Sequence, residues 1–437
     1  MTYITLFFSL INEYTALPVV VIFLSTAFFF TYLTRCGQIR YFSYFLKLIT
    51  GGISRTHDKK NSITPIHALI TAMSTTIGMG NIVGPSIAIM IGGPGALFWL
   101  LLYIFFGSSI KFVEVSYAVA TKTKNTEGEI IGGPMRYLSL VSPNLALFYT
   151  ILIIPLLLIW SGLQSNTFAQ ILAIDGVPPL ITGICLALYL CFVLLGGIQS
   201  VSKIANKLFP IMFFSYIIAS FVILLRAPLS FFDVFSLIKN HVFSPFAIAG
   251  GLSTISLIQS MQTGILRGIF ISESGIGTSA IAHSFADTKN PFDQGVLAMC
   301  ASVADLFLCA LSGLIALKTG IFQEGVLRST LVYEAFIRHS PLWGKYILQL
   351  SATLFVLTTI VGNSFNALQN FNVLTKYKFT KLFILCVSFI VIYGATLPML
   401  FLLQLSDLLL ILVAIPHVLG LIYLAVKKGY VKKEEKI

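Results

Sequence analysis

The sequence predicts an all-α polytopic membrane protein of about 11 transmembrane helices: one extra N-terminal helix, then a 5+5 inverted repeat whose first helix in each half is interrupted. Three observations predict it. Hydrophobic residues make up 57% of the 437 and charged residues only 10%, with a mean hydropathy of +0.92. Soluble domains carry about 25% charge, and no soluble core hides this much apolar surface. Apolar runs of about 20 residues recur along the chain, and the basic residues between them fall mostly on one side.

Spans are expected near 15–34, 64–91, 95–120, 145–172, 178–197, 208–226, 244–266, 291–317, 342–371, 379–401 and 402–425. With that count, the loops near 35–63, 121–143, 198–207, 267–290 and 372–381 share a side with the tail after Val426. They hold 21 of the 28 Lys and Arg residues, against six on the other side and Lys111 inside a span. The basic side is cytoplasmic by the positive-inside rule, which puts the N-terminus outside and the C-terminus in the cytoplasm of a cell (inner) membrane protein. The net charge of +12 is thereby explained without a nucleic-acid partner. The chain divides into 1–63 (extra helix and cytoplasmic loop), 64–226 and 244–425 (the two five-helix repeats), and 426–437 (basic tail). The N-terminal stretch lacks a basic n-region and a small-residue cleavage site, so no removed signal peptide is expected. Six cysteines without CxxC spacing read as small packing residues.

The informative stretch is Ser74–Pro94, STTIGMGNIVGPSIAIMIGGP. Glycine costs about 1 kcal/mol and proline about 3 in a helix interior, so Gly78, Gly80 and Pro85 make one continuous helix unfavourable here. In lipid, broken backbone persists only where protein or a wet cavity satisfies it, and secondary transporters use such breaks to present peptide dipoles to a solute and its coupling ion. The plainer account is a kink that helps helices pack. A second interruption is expected at 244–266, around Gly250-Gly251. Setting the first span aside, the two interruptions fall first in each group of five spans. Five is odd, so the halves must be inverted. No nucleophile–base pair, phosphate loop or metal set is present, which argues against an enzyme; a channel and a membrane-embedded transferase are the rival classes.

GMGNIVGPSIAIMIGGPGALFW, FGSSIKFVEVSYA, GGPMRYL, GGIQSVSKIANKLFP and RGIFISESGIGTSAIAHSFADTKNPFDQG occur in family order, and from about Ile66 to His417 the chain resembles the alanine-or-glycine:cation symporter family. The resemblance implies the leucine-transporter fold and sodium-coupled uptake of a small neutral amino acid such as alanine or glycine. It implies no cofactor beyond the sodium ion, no partner beyond solute, ion and bilayer, and no obligatory protein partner.

A zwitterion near the membrane midplane needs an anion site and a cation site, since unpaired charge there is expensive. Met79, Gly80 and Asn81 are placed to turn N–H groups toward a carboxylate at the start of the second half-helix. Thr75 and Thr76 end the first half-helix, where free carbonyls suit a cation. The resemblance implies that the carbonyls of Ser74 and Ile77, with the hydroxyls of Thr358 and Thr359, hold sodium. Mid-span hydroxyls otherwise bond back to the preceding turn. Gln164 matches a family glutamine able to meet the solute, with Asn166 and Gln170 nearby; interhelical bonding is its plainer role. Gly250 and Gly251 are expected across the cavity.

Lys111 and Glu114, three apart on one helix, are expected to pair as a gate, with Glu273 as a further gating or packing residue in the following loop. His283, Asp287 and Asp293 read as a solvated cytoplasmic loop, and Asp305 and Asp407 as intramembrane acids with unidentified partners. The chain departs from the family where Asn363 replaces an expected tryptophan, at Ile271-Ser272-Glu273-Ser274-Gly275, and where His417 replaces asparagine. If Asn363 lines the pocket, a larger or more polar solute becomes admissible. Proton coupling on the same fold is the nearer alternative.

Overall fold

Pro65 fits the first position of a helix because its missing N–H is not needed there, and the Thr64 hydroxyl accepts the His67 N–H at 3.2 Å to complete the cap. The chain from this point forms the frame of the molecule. The structure, a computed structural model, describes residues 2–51, 62–125, 128–242, 246–249, 253–324, 330–340 and 343–429. The main helices are α1 (Thr2–Leu33), α2 (Pro65–Thr76), α3 (Met79–Gly92), α4 (Ala96–Thr121), α5 (Pro143–Ala173), α6 (Pro179–Leu194) and α7 (Gly197–Arg226). There follow α8 (Leu257–Ser272), α9 (Thr278–Ser284), α10 (Pro291–Lys318), α11 (Gly344–Thr375), α12 (Thr380–Thr396) and α13 (Met399–Lys428).

Among the described residues, seven of these are long and apolar enough to cross a membrane, the first from Thr15. The pair α2 and α3 passes as one span bent by 41°, and α6 and α12 are shorter apolar helices. Large apolar side chains stay exposed on outer faces: Phe192 on α6 at 79%, Leu225 on α7 at 80%. On a chain this hydrophobic, such faces meet lipid.

The core forms where α4 packs against α8 and α10, and α5 against α11, α12 and α13. Gly80, Gly84, Ala88 and Gly92 repeat every four residues along one face of α3. A Cβ at Gly84 would come 2.7 Å from Ile271 Cδ1, and one at Gly92 would come 2.9 Å from Thr263 Cβ. Small residues at this spacing let α3 lie directly on α8.

The segment near 244–266 differs from expectation. An antiparallel pair, Phe246–Ala249 with Ser253–Ser256, precedes α8, and the helix then runs on to Ser272. Gly250 and Gly251 lie outside the described residues. The helical break comes later, between α8 and α9, where Glu273, Gly275 and Gly277 adopt φ of 55°, 92° and 90°. Left-handed backbone ends a helix, and two of the three positions are glycine.

The stretch 267–290 is accordingly not a solvated loop. His283 and Asp293 are 1% and 7% exposed. Gln294 Nε2 lies 2.6 Å from His283 Nδ1, and the Tyr44 hydroxyl donates to Asp293 at 2.7 Å. The seven-residue helix α9 packs against α2 and α4, and burial of its apolar face overrides the polar appearance of the sequence.

Candidate functional site

Between α2 and α3 the backbone breaks for two residues: Ile77 (φ −81°, ψ 101°) and Gly78 (φ −141°, ψ −159°) are both extended. A helix start leaves amides without intrahelical partners, and side chains take two of them here. Asn81 Oδ1 accepts the Gly78 N–H at 3.1 Å, and Gln164 Oε1, from α5, accepts the Met79 N–H at 3.0 Å. Gln164 thus fixes α5 to the start of α3. Asn81 caps the break and turns its Nδ2 to Asp305 at 3.0 Å.

A cavity of about 370 Å³ adjoins this start. Its walls are Met79, Gly80, Val83, Gly84 and Ile87 of α3, Leu163, Gln164 and Thr167 of α5, Arg267 and Phe270 of α8, and Met399 and Leu403 of α13. Three of the expected solute-binding residues therefore meet here: Met79, Gly80 and Gln164. The walls are apolar except for Gln164, Thr167 and Arg267. Arg267 Nη2 lies 2.6 Å from Asp407 Oδ2, which supplies the partner of that intramembrane acid. Sequence reasoning left Arg267 in a loop. The signal was an arginine inside the apolar run GILRGIFI, which in lipid requires a partner.

Beside the break on α11, Thr359 Oγ1 is 3.3 Å from the Ser74 carbonyl oxygen and 3.2 Å from that of Ile77. Glycines make this approach possible. A Cβ at Gly78 would sit 2.5 Å from Thr359 Oγ1, and one at Gly362 would sit 2.1 Å from Thr75 Oγ1. Thr358 turns elsewhere: its hydroxyl bonds back to the Leu354 and Phe355 carbonyls at 3.0 and 3.1 Å. Thr75 and Thr76 likewise bond to Thr71 and Ala72 on their own helix. Asn363 is 2% exposed, lies outside the cavity lining, and its Oδ1 has no hydrogen-bond partner. Asn166 is structural, donating to the Gly394 carbonyl at 2.9 Å.

The expected Lys111–Glu114 hydrogen-bonded pair does not form. Lys111 Nζ goes to Asp305 Oδ2 of α10 at 3.5 Å. Glu114 Oε1 accepts the Gly275 N–H at 2.8 Å in the second break. Three residues apart on one helix permits contact, but Asp305 of α10 and the Gly275 amide in the second break take the two groups instead. The backbone of the second break is clamped by side chains from neighbouring helices. The Tyr103 hydroxyl donates to the Ser274 carbonyl at 2.9 Å, and that of Tyr149 to the Ile276 carbonyl at 2.8 Å. His417 Nδ1 meets the Gly275 carbonyl at 2.8 Å, and its Nε2 meets the Tyr137 hydroxyl at 2.6 Å. Glu273 accepts from the Thr278 hydroxyl.

A bundle with a broken helix, dipoles at its break and an apolar cavity beside it defines a polytopic membrane transporter of the leucine-transporter fold. Two solved structures share that fold. One is titled as MhsT in complex with L-phenylalanine (TM-score 0.63, 12% identity, covering 87% of this chain and 91% of that one). The other is titled as a substrate-bound outward-open Na+-coupled sialic acid symporter (TM-score 0.56, 12% identity, covering 87% and 81%). The profile of the sodium:alanine symporter family matches residues 1–435, and the chain belongs to that family. The sodium/alanine symporter AgcS of Methanococcus maripaludis is 30% identical, covering 98% of this chain and 97% of the relative. The probable sodium/glutamine symporter GlnT of Bacillus subtilis is 27% identical over 93% and 85%. The protein is a cation-coupled amino-acid transporter rather than an enzyme.

Proposed function

We propose that the protein couples inward sodium flow to uptake of a small neutral amino acid by alternating access across the inner membrane. It does so with eleven spans in a five-plus-five inverted arrangement after α1, the N-terminus outside and the C-terminus in the cytoplasm. No cofactor and no obligatory protein partner are required. One observation carries the reading. The carbonyls of Ser74 and Ile77 both lie within hydrogen-bond reach of Thr359 Oγ1, yet a hydroxyl has one proton to give. A small cation among these three oxygens satisfies all of them, as oxygen ligands suit hard ions.

Next to that position, Gly80 at the start of α3 has an N–H with no intrahelical acceptor, and it lines the cavity. The N-terminal dipole end favours a carboxylate there. Val83, Ile87, Leu163, Phe270 and Leu403 offer the apolar walls that a short aliphatic side chain fills. The sodium:alanine symporter among the relatives supports both solute and ion. A larger neutral solute is the competing reading, which the probable sodium/glutamine symporter among the relatives supports.

Reconstitution into liposomes tests the reading. Saturable uptake of labelled alanine driven by a sodium gradient is expected, with competition by glycine and glutamine ranking the solutes. Uptake driven by a proton gradient alone would refute sodium coupling, and non-saturating flux indifferent to any gradient would point to a channel.

A further inference from the structure

An intramembrane acid beside the first break is paired with a lysine from another helix. Asp305 of α10 is 2% exposed and shares its carboxylate between two groups. Oδ1 accepts from Asn81, which in turn caps Gly78 at the break, and Oδ2 faces Lys111 Nζ of α4 at 3.5 Å. Lys111 and Asn81 are 3% and 0% exposed. A carboxylate this deep costs several kcal/mol unless a cation accompanies it. The lysine stem brings that cation from a helix other than the broken one. A separate cavity of about 240 Å³ surrounds the pair, bordered by Thr76 at the end of α2 and by Ser279 and His283 of α9. Lys111 is thus a cation on a tether, next to oxygen groups and an acid that could coordinate a loose one.

We propose that the Lys111 ammonium stands permanently where a second coupling ion would bind, so that the protein moves one sodium ion per solute molecule. Asp305 is then a latent sodium ligand, exposed when the lysine is removed. Lys111 acts as a positioning residue: through Asp305 and Asn81 it holds the start of α3 in place for the solute. This inference rests on the sodium reading above.

The test compares radiolabelled sodium and solute fluxes in proteoliposomes. Wild-type protein is expected to give a flux ratio of about one and a Hill coefficient for sodium of about one. Lys111→Met should leave Asp305 uncompensated and recruit an ion, raising both toward about two and increasing the sodium concentration for half-maximal uptake about tenfold. The double variant Lys111→Met/Asp305→Asn removes both charges and should return the ratio to about one. A merely structural lysine would change the amount of folded protein without moving the ratio. A transporting Lys111→Met variant with unchanged ratio and Hill coefficient overturns the inference. So does a sodium-stimulated wild type with a ratio of two, a measurement that needs no variant to fold. Uptake indifferent to sodium in the wild type would instead remove the sodium reading, and this inference with it.

Discussion

The two helix breaks differ in what they leave over. At Ile77–Gly78 the chain opens for two residues. Asn81 and Gln164 take two amides, while the Ser74 and Ile77 carbonyls share one hydroxyl proton between them. At Glu273–Gly277 the opening is longer and every named group is answered: the Gly275 amide by Glu114, and the carbonyls of Ser274, Gly275 and Ile276 by Tyr103, His417 and Tyr149. An unfilled hydrogen-bonding capacity next to a cavity marks a place for guests, whereas a filled one marks a joint held in one shape. The difference teaches that a broken membrane helix is not by itself a binding site. What its neighbours leave unpaired decides.

The largest expected effect breaks the comparison at its rigid end. Gly277 has φ of +90°, and a Cβ there would meet Pro134 Cγ at 2.4 Å and His417 Nε2 at 2.9 Å. Gly277→Ala therefore combines left-handed strain with overpacking and should cost about 3 kcal/mol or more, read as a large drop in thermal stability or loss of folded protein. At the first break, a Cβ on Gly80 comes no closer to a neighbour than 3.4 Å, to Phe270 Cε1. Gly80→Ala should fold and instead weaken solute affinity, since the methyl enters the cavity. Equal loss of folded protein in both variants would erase the distinction.

Next in size, Thr359→Ala should raise the sodium concentration for half-maximal uptake about tenfold, corresponding to roughly 1.4 kcal/mol, in protein that still folds. Thr358→Ala, whose hydroxyl bonds within its own helix, should change it less than about twofold. Gln164→Leu leaves the Met79 N–H without its acceptor and removes an amide from the cavity wall. The KM for solute should rise several-fold, about 1 kcal/mol, with sodium activation largely kept. Sodium activation unchanged in Thr359→Ala, or altered as much in Thr358→Ala, would detach the ion from these carbonyls.

How far these sites can be read from sequence follows from the same contrast. The first break is visible because Gly78, Gly80 and Pro85 interrupt an otherwise apolar run, and lipid leaves such a run few alternatives. Gly250-Gly251 is a louder signal of the same kind, but it lies outside the described residues. The second break among the described residues carries Ser272, Glu273 and Ser274, which look like a loop until the apolar residues on both sides of Gly275 and Gly277 are weighed. Thr358 and Thr359 are indistinguishable in sequence, and only helix phase selects Thr359. Partners across helices are the least legible: Lys111 with Asp305 and Arg267 with Asp407 are 194 and 140 residues apart, and no local spacing announces them.

The smallest effect supplies a reference away from both breaks. Asp175, between α5 and α6, accepts from Lys345 and Gln349 at the start of α11. The Lys345 ammonium holds the Asp175 carboxyl below the usual carboxylate range; burial opposes it, and the Gln349 amide adds to the lowering. A carboxyl lowered in the folded protein stabilises it above the unfolded pKa, near 4, and that contribution is lost as the pH falls through the folded value. Asp175→Asn should therefore lower the melting temperature by no more than about 2 °C at pH 7, the difference shrinking in high salt and as the pH falls below about 4. Thr359 lies fourteen residues further along α11, about 21 Å by helix rise, so sodium activation should not move. A shift in sodium activation in this variant would mean that α11 transmits strain along its length, and the Thr359→Ala result would then no longer report on local oxygen contacts alone.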